Sequence, residues 1–197
     1  MMIRRAGIPD IPAAHQIINA SAEYGLMLPR SLASMYEDVR DFHVAVEPSK
    51  VDGGERIIGV CGLKVVWANL AEVYALAVHQ DRRGKGLGRL LVLSTVDEAE
   101  QLGIQKLMTL TYERAFFERC GFSVVDRQDL PLKVWSECVR CPKNQRCDEI
   151  AMIRVLEDVP EIKLPEPSLP PQAEYVVPVT LSARRVRFPA ALPDEND

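Results

Sequence analysis

Along the first 156 residues, apolar positions recur with two different periods, and the switching between them predicts helices and strands in mixed order. Behind Asp10, the residues Ile11, Ala14, Ile17, Ile18 and Ala22 follow helical spacing. They predict a helix capped by Asp10, running to about Tyr24 and stopped by Gly25. Ser31 predicts the cap of a second helix through about Val39. FHVAVE (42–47) then reads as a strand, VDGGER (51–56) as a hairpin turn, and RIIGVCGLKVVW (56–67) as the returning strand. EVYALAVH (72–79) is a further strand. After a glycine-rich turn, Leu87, Leu91, Thr95, Ala99 and Leu102 mark one face of a helix from Leu87 to Leu102 that Gly103 ends. KLMTLT (106–111) is another strand and RAFFERC (114–120) a short helix ended by Gly121. Two extended segments, roughly Ser123 to Arg140 and Asp148 to Leu156, enclose a cysteine-rich turn.

The pattern breaks at Glu157. KLPEPSLPPQ (163–172) cannot be helical and reads as a polyproline-like linker, which divides the chain into a domain over 1–156 and a proline-rich extension over 157–197. Within the extension, EYVVPVTLSARRVRF is suited either to add an edge strand or to pack on a second copy in a homodimer. The last residues, PDEND, read as a disordered end.

Composition narrows the function classes. A chain of 197 residues with 47% hydrophobic content suits one core, and a net charge of -4 with a pI near 5.5 argues against a nucleic-acid surface. A small-molecule partner fits better. No apolar run approaches the roughly 20 residues that span a bilayer, and the start lacks a signal-peptide core, so the expected location is cytoplasmic. His15, His43 and His79 show no metal-ligand spacing. Cys138, Cys141 and Cys147 form C-x-x-C-x5-C, a spacing that can clasp zinc, but only Asp148 is adjacent as a fourth ligand. Free thiols in a tight turn, or a redox-sensitive pair, are the other readings.

The strongest chemical signal is HQDRRGKGLGRLL (79–91). Gly84, Gly86 and Gly88 alternate between an apolar strand and an amphipathic helix, so backbone amides can approach a ligand without interference from Cβ atoms. Unpaired amides at the helix start, with Arg83, Lys85 and Arg89, favour a doubly charged anion such as a pyrophosphate. A Rossmann unit would place such glycines after the first strand, and a P-loop would carry GKS or GKT. Neither pattern is present.

With this turn, the sequence resembles the GNAT superfamily of acetyltransferases, whose R-x-x-G-x-G pattern falls on Arg83, Gly86 and Gly88. The resemblance implies an α/β (α+β) GNAT fold, a central mixed but mostly antiparallel sheet flanked by helices, with acetyl-CoA as cosubstrate. It implies that the amides of Gly84, Lys85, Gly86, Leu87, Gly88 and Arg89 hold the pyrophosphate. It further implies that Leu76, Ala77 and Val78 pair with the pantetheine arm, the Leu76 amide polarising the thioester carbonyl. LPRS (28–31), GLK (62–64), AEVYALAV (71–78), LTY (110–112), CGF (120–122) and the segment 130–152 are similar to short amino-acid N-acetyltransferases of the N-acetylglutamate synthase type. That narrower resemblance implies L-glutamate as acceptor, in the first committed step towards arginine.

A dianionic acceptor needs at least two cations. Arg30 sits where this family places a carboxylate-binding arginine. Lys64 shares the parity of Ile58 and Val60 in its predicted strand, and a lysine on that apolar face needs a partner: the resemblance implies a substrate-carboxylate ligand, and the other reading is an ammonium that reaches solvent. Lys133 follows LPL where many relatives read LPH, which puts the local pocket chemistry in question. Glu72 falls at the family's general-base position. The tyrosine that many GNAT enzymes use as acid is replaced by Phe117, leaving Thr111 and Tyr112 as candidate hydroxyls. Phe116, Phe117 and Phe122 are expected to pack the short helix onto the sheet. Acceptors other than glutamate, and a non-catalytic acetyl-CoA-binding regulator, remain as alternatives.

Overall fold

The predicted strands assemble into one mixed sheet. The computed structural model describes residues 1–49, 53–130 and 148–161. Its strands are β1 (Met2–Arg5), β2 (Phe42–Pro48), β3 (Glu55–Trp67), β4 (Leu70–Val78), β5 (Lys106–Thr111), β6 (Ser123–Val124) and β7 (Ile150–Val155). They lie in the order β1-β2-β3-β4-β5-β7-β6, antiparallel throughout except for the parallel pair β4 and β5. The helices are α1 (Ile11–Glu23), α2 (Leu32–Glu37), α3 (Leu87–Gln101) and α4 (Arg114–Glu118).

Helices cover both faces of the sheet. One core cluster joins Leu87, Leu91 and Val96 of α3 to Cys61, Leu63, Ala71 and Val73. A second joins Ile11, Ala14 and Ile18 of α1 to Val44, Val60 and Ala77. Ser31 caps α2 as expected, accepting a hydrogen bond from the Ser34 amide at 3.1 Å. Asp10 stands at the start of α1, but its carboxylate accepts from the Gly7 amide at 2.7 Å and from Arg4 instead of capping that helix. The buried face of α1 ends on Ser21 rather than Ala22. Leu102, expected on the buried face of α3, is exposed because the helix closes at Gln101. β1 is an element that periodicity did not reveal, since Ile3 is its only strongly apolar residue apart from Met2 and it pairs along one edge with β2. Only Ser123 and Val124 of the first expected extended segment form a strand within the described residues, and Arg127–Asp129 makes a 3-10 turn. Val159, beyond the expected end of the domain, is buried in the α3 cluster.

Two bulges decide which side chains share a face. The β2–β3 register steps from Ala45↔Gly59 to Val46↔Ile57, which leaves Ile58 as the extra residue. Ile58 therefore packs under α3 while Val60 packs under α1, so Lys64 shares the face of Val60 and not that of Ile58. In β4 the register steps from Gly62↔Tyr74 to Val60↔Ala77, placing Ala75 and Leu76 together opposite Cys61. Ala75 takes φ +49°, a left-handed conformation rare for a residue with a Cβ.

Candidate functional site

The parallel strands β4 and β5 pair only through Leu70↔Lys106, Ala71↔Leu107 and Glu72↔Met108, and then diverge. Beyond Glu72 the β5 side of β4 has no strand partner among the described residues, and the bulge at Ala75 and Leu76 lies in that stretch. An unpaired strand edge presents backbone donors and acceptors to whatever enters beside it. A cavity of about 1180 Å³ occupies this opening, lined by residues 73–78 of β4 and 109–111 of β5.

At one end of the cavity stands the glycine-rich turn. Gly84 and Gly86 have φ of +74° and +78°, and among the described residues no heavy atom beyond the glycine and its chain neighbours lies within 4 Å of the point where a Cβ would stand on either. Gly88 instead sits under Phe116, whose ring would be 3.4 Å from an added Cβ. The 15-residue α3 starts behind Gly86 with no side-chain cap, so its first amides face the cradle without the usual oxygen acceptor. Leu87 and Arg89 also line the cavity. The arrangement suits a pyrophosphate. Arg83 is committed to the scaffold: its Nε donates to the Val78 carbonyl at 3.0 Å and its Nη2 to the Ser21 hydroxyl at 3.1 Å, which ties the turn to β4 and α1. Lys85 donates to the Asp81 carbonyl at 3.1 Å and does not line the cavity.

Towards the other end, the antiparallel register sets Lys64 directly opposite Glu72 and Gly62 opposite Tyr74, so these residues share one face. Arg30, from the loop between α1 and α2, meets them in the cavity wall. Asn19 of α1 grips the Arg30 backbone at both ends, accepting from its amide and donating to its carbonyl at 2.9 Å each. The Arg30 Nη2 donates to Asp38 at 2.7 Å, and the guanidinium carbon lies 4.9 Å from the centroid of the Tyr74 ring. Its Nε is buried without a hydrogen-bond partner among the described residues. A buried guanidinium donor left unmade is costly unless something else accepts from it. Burial pushes the Asp41 carboxyl above its usual range, against the hydrogen bond it accepts from the Tyr74 hydroxyl at 3.2 Å. The charge of Lys64 also opposes that rise, which places the lysine within electrostatic reach of Asp41.

Thr111 is buried on the cavity wall, and its hydroxyl accepts from the Glu113 amide at 2.9 Å. Tyr112 does not line the cavity. Phe117 is buried there between Phe116 and Phe122, in edge-to-face contacts with centroids 5.1 and 5.3 Å apart. Cys120 lines the cavity too, and burial pushes its thiol up despite the nearby Arg89. Lys133, Cys138, Cys141 and Cys147 lie outside the described residues. Among the described residues no group of histidine, cysteine or carboxylate side chains is placed to hold a metal, and no helix is long and apolar enough to cross a membrane.

Residues 15–122 match the family model of the acetyltransferase (GNAT) family. The chain belongs to the GNAT acetyltransferase family. This GNAT domain is 36% identical over 154 residues to an uncharacterized N-acetyltransferase of Chlorobaculum tepidum, covering 78% of this chain and 96% of that protein. It is 32% identical to an amino-acid acetyltransferase of Mycobacterium tuberculosis, over 71% of this chain and 78% of the other. Among solved structures, N-acetylglutamate synthase from Neisseria gonorrhoeae, complexed with coenzyme A and N-acetyl-glutamate, superposes with a TM-score of 0.69 at 25% identity. That match covers 79% of this chain and 35% of the synthase.

Proposed function

We propose that the protein transfers an acetyl group from acetyl-CoA directly to the α-amine of L-glutamate, with Glu72 as general base. The observation that carries this reading is that one cavity, opened by the divergence of β4 and β5, joins an amide-lined anion cradle to a face bearing Arg30, Lys64 and Glu72. The N-acetylglutamate synthase of Neisseria gonorrhoeae, bound to coenzyme A and N-acetyl-glutamate, supports the same pairing of ligands.

Acetyl-CoA would supply an acetyl thioester to the cavity. The cradle fits its pyrophosphate, because Gly84 and Gly86 leave open the space a Cβ would fill and the first amides of α3 lack a side-chain cap. Gly84, Lys85, Gly86, Leu87, Gly88 and Arg89 would contribute amides, while Arg83 holds the turn in shape. Leu76 in the bulge, with Ala77 and Val78 after it, lies along the cavity on the stretch of β4 that β5 does not pair, where backbone groups can bind an extended amide-containing chain.

Arg30, whose partly exposed side chain lines the cavity, offers its guanidinium, and Lys64 its ammonium, to the acceptor's carboxylates. Glu72 stands opposite Lys64 and would take the proton that a charged α-ammonium must lose before it can attack. The Thr111 hydroxyl, which accepts from a backbone amide, keeps its own proton to donate to developing negative charge. Cys120 is held protonated by burial and is a poor nucleophile, which favours direct transfer over an acetylated thiol.

The test is coenzyme A release from acetyl-CoA in the presence of L-glutamate, in the native protein and in Gly86→Val. Glutamate-dependent release is expected in the native protein. A β-branched side chain at φ +78° is strained and projects into the open cradle, so the variant should show a KM for acetyl-CoA raised by at least about tenfold. An unchanged KM in a folded variant would remove the cradle from the binding site.

A further inference from the structure

Tyr74 lines the same cavity as Arg30 and connects to it by more than proximity. Its ring is fixed on three sides. On one face lies the Arg30 guanidinium, 4.9 Å from the centroid. Beneath it is Gly62, where an added Cβ would fall 2.4 Å from the ring. Alongside is Phe42, with ring centroids 5.5 Å apart. The hydroxyl is fixed as well, by its hydrogen bond to the half-buried Asp41 at 3.2 Å. Arg30 is thereby held by an aromatic face and, through Nη2, by Asp38, while Nε keeps no protein partner among the described residues.

We propose that Tyr74 is a positioning residue for acceptor recognition, its ring holding the Arg30 guanidinium in place at the cavity wall for a substrate carboxylate. The inference rests on the reading of Arg30 as a carboxylate ligand and adds the group that orients it. A guanidinium held over a ring and by a carboxylate loses less freedom when it engages an anion, because its position is already restricted. The missing side chain at position 62 is part of the same device, since only glycine leaves room for the ring at that approach.

The test is a set of steady-state measurements with acetyl-CoA and L-glutamate. Tyr74→Leu removes the aromatic face and is expected to raise the KM for glutamate about tenfold, with the KM for acetyl-CoA changed by less than about twofold. Tyr74→Phe keeps the face, loses only the bond to Asp41, and should recover most of that affinity. Gly62→Ala leaves Tyr74 in the chain but displaces its ring, and should raise the glutamate KM in the same direction. The decisive arm is the double variant. In an Arg30→Ala background, Tyr74→Leu should add less than about a further twofold, because the ring acts through the guanidinium. Additive losses, or a Tyr74→Leu variant with native glutamate KM, would overturn the proposal while leaving Arg30 in its role. An Arg30→Ala variant with unchanged glutamate KM would instead remove the carboxylate reading, and this inference with it.

Discussion

Glu72→Gln is expected to lower turnover about 10²- to 10⁴-fold at neutral pH, the range for loss of a general base, with little change in the KM for acetyl-CoA. The substitution keeps the side chain's size and most of its hydrogen bonding but removes its basicity. Glu72 is the last β4 residue paired with β5, at Met108, so it stands at the point where the cavity opens. A free α-amine is almost fully charged at neutral pH, and its proton must leave before the nitrogen can act as nucleophile. Raising the pH should therefore partly rescue the variant by supplying neutral amine directly. Near-native turnover of Glu72→Gln at pH 7 would assign the proton to another group and would leave the proposed coenzyme role of the glycine-rich turn untouched.

Arg30→Ala is expected to weaken the acceptor by about 2–4 kcal/mol, the cost of losing a desolvated charged hydrogen bond, or roughly 30- to 1,000-fold in KM. The Arg30 side chain is 19% exposed and is held by Asp38, by Tyr74 and, at its backbone, by Asn19. Truncation would also leave Asp38 without its cation. That second effect falls on the α2 end of the site and not on the cradle, so the KM for acetyl-CoA should stay within about twofold. Lys64→Ala should act in the same direction, since Lys64 lies opposite Glu72 on the same face. Equal losses for both ligands, measured from initial rates with each substrate varied, would point to a folding defect in place of a lost contact.

The parts of the site written in consecutive residues were legible in the sequence. The glycine-rich turn depends on local φ values and on the start of one amphipathic helix, so its residues announce it directly. The strand that carries Glu72 and the α3 face from Leu87 to Ala99 follow from period alone. What the sequence hid depends on the pairing of distant segments. A bulge at Ile58 reverses the parity of β3, so counting by twos from Ile58 to Lys64 crosses from one face to the other. The bulge at Ala75 and Leu76 has no glycine to mark it. Tyr74 meets Arg30 only because the α1–α2 loop folds over β4, and no spacing rule spans that separation. The replacement of the expected tyrosine by Phe117 was visible, whereas the inward placement of Thr111, with Tyr112 off the cavity, required the strand to be built.

The identity of the acceptor is the central claim, and it is tested most directly by measuring coenzyme A release from acetyl-CoA with each of the twenty common amino acids in turn. Two cations on one cavity face predict that L-glutamate gives the highest kcat/KM, ahead of L-glutamine by at least about tenfold, because glutamine lacks the second charged carboxylate. Highest activity with a neutral or cationic amino acid, or release that no amino acid stimulates, would contradict it.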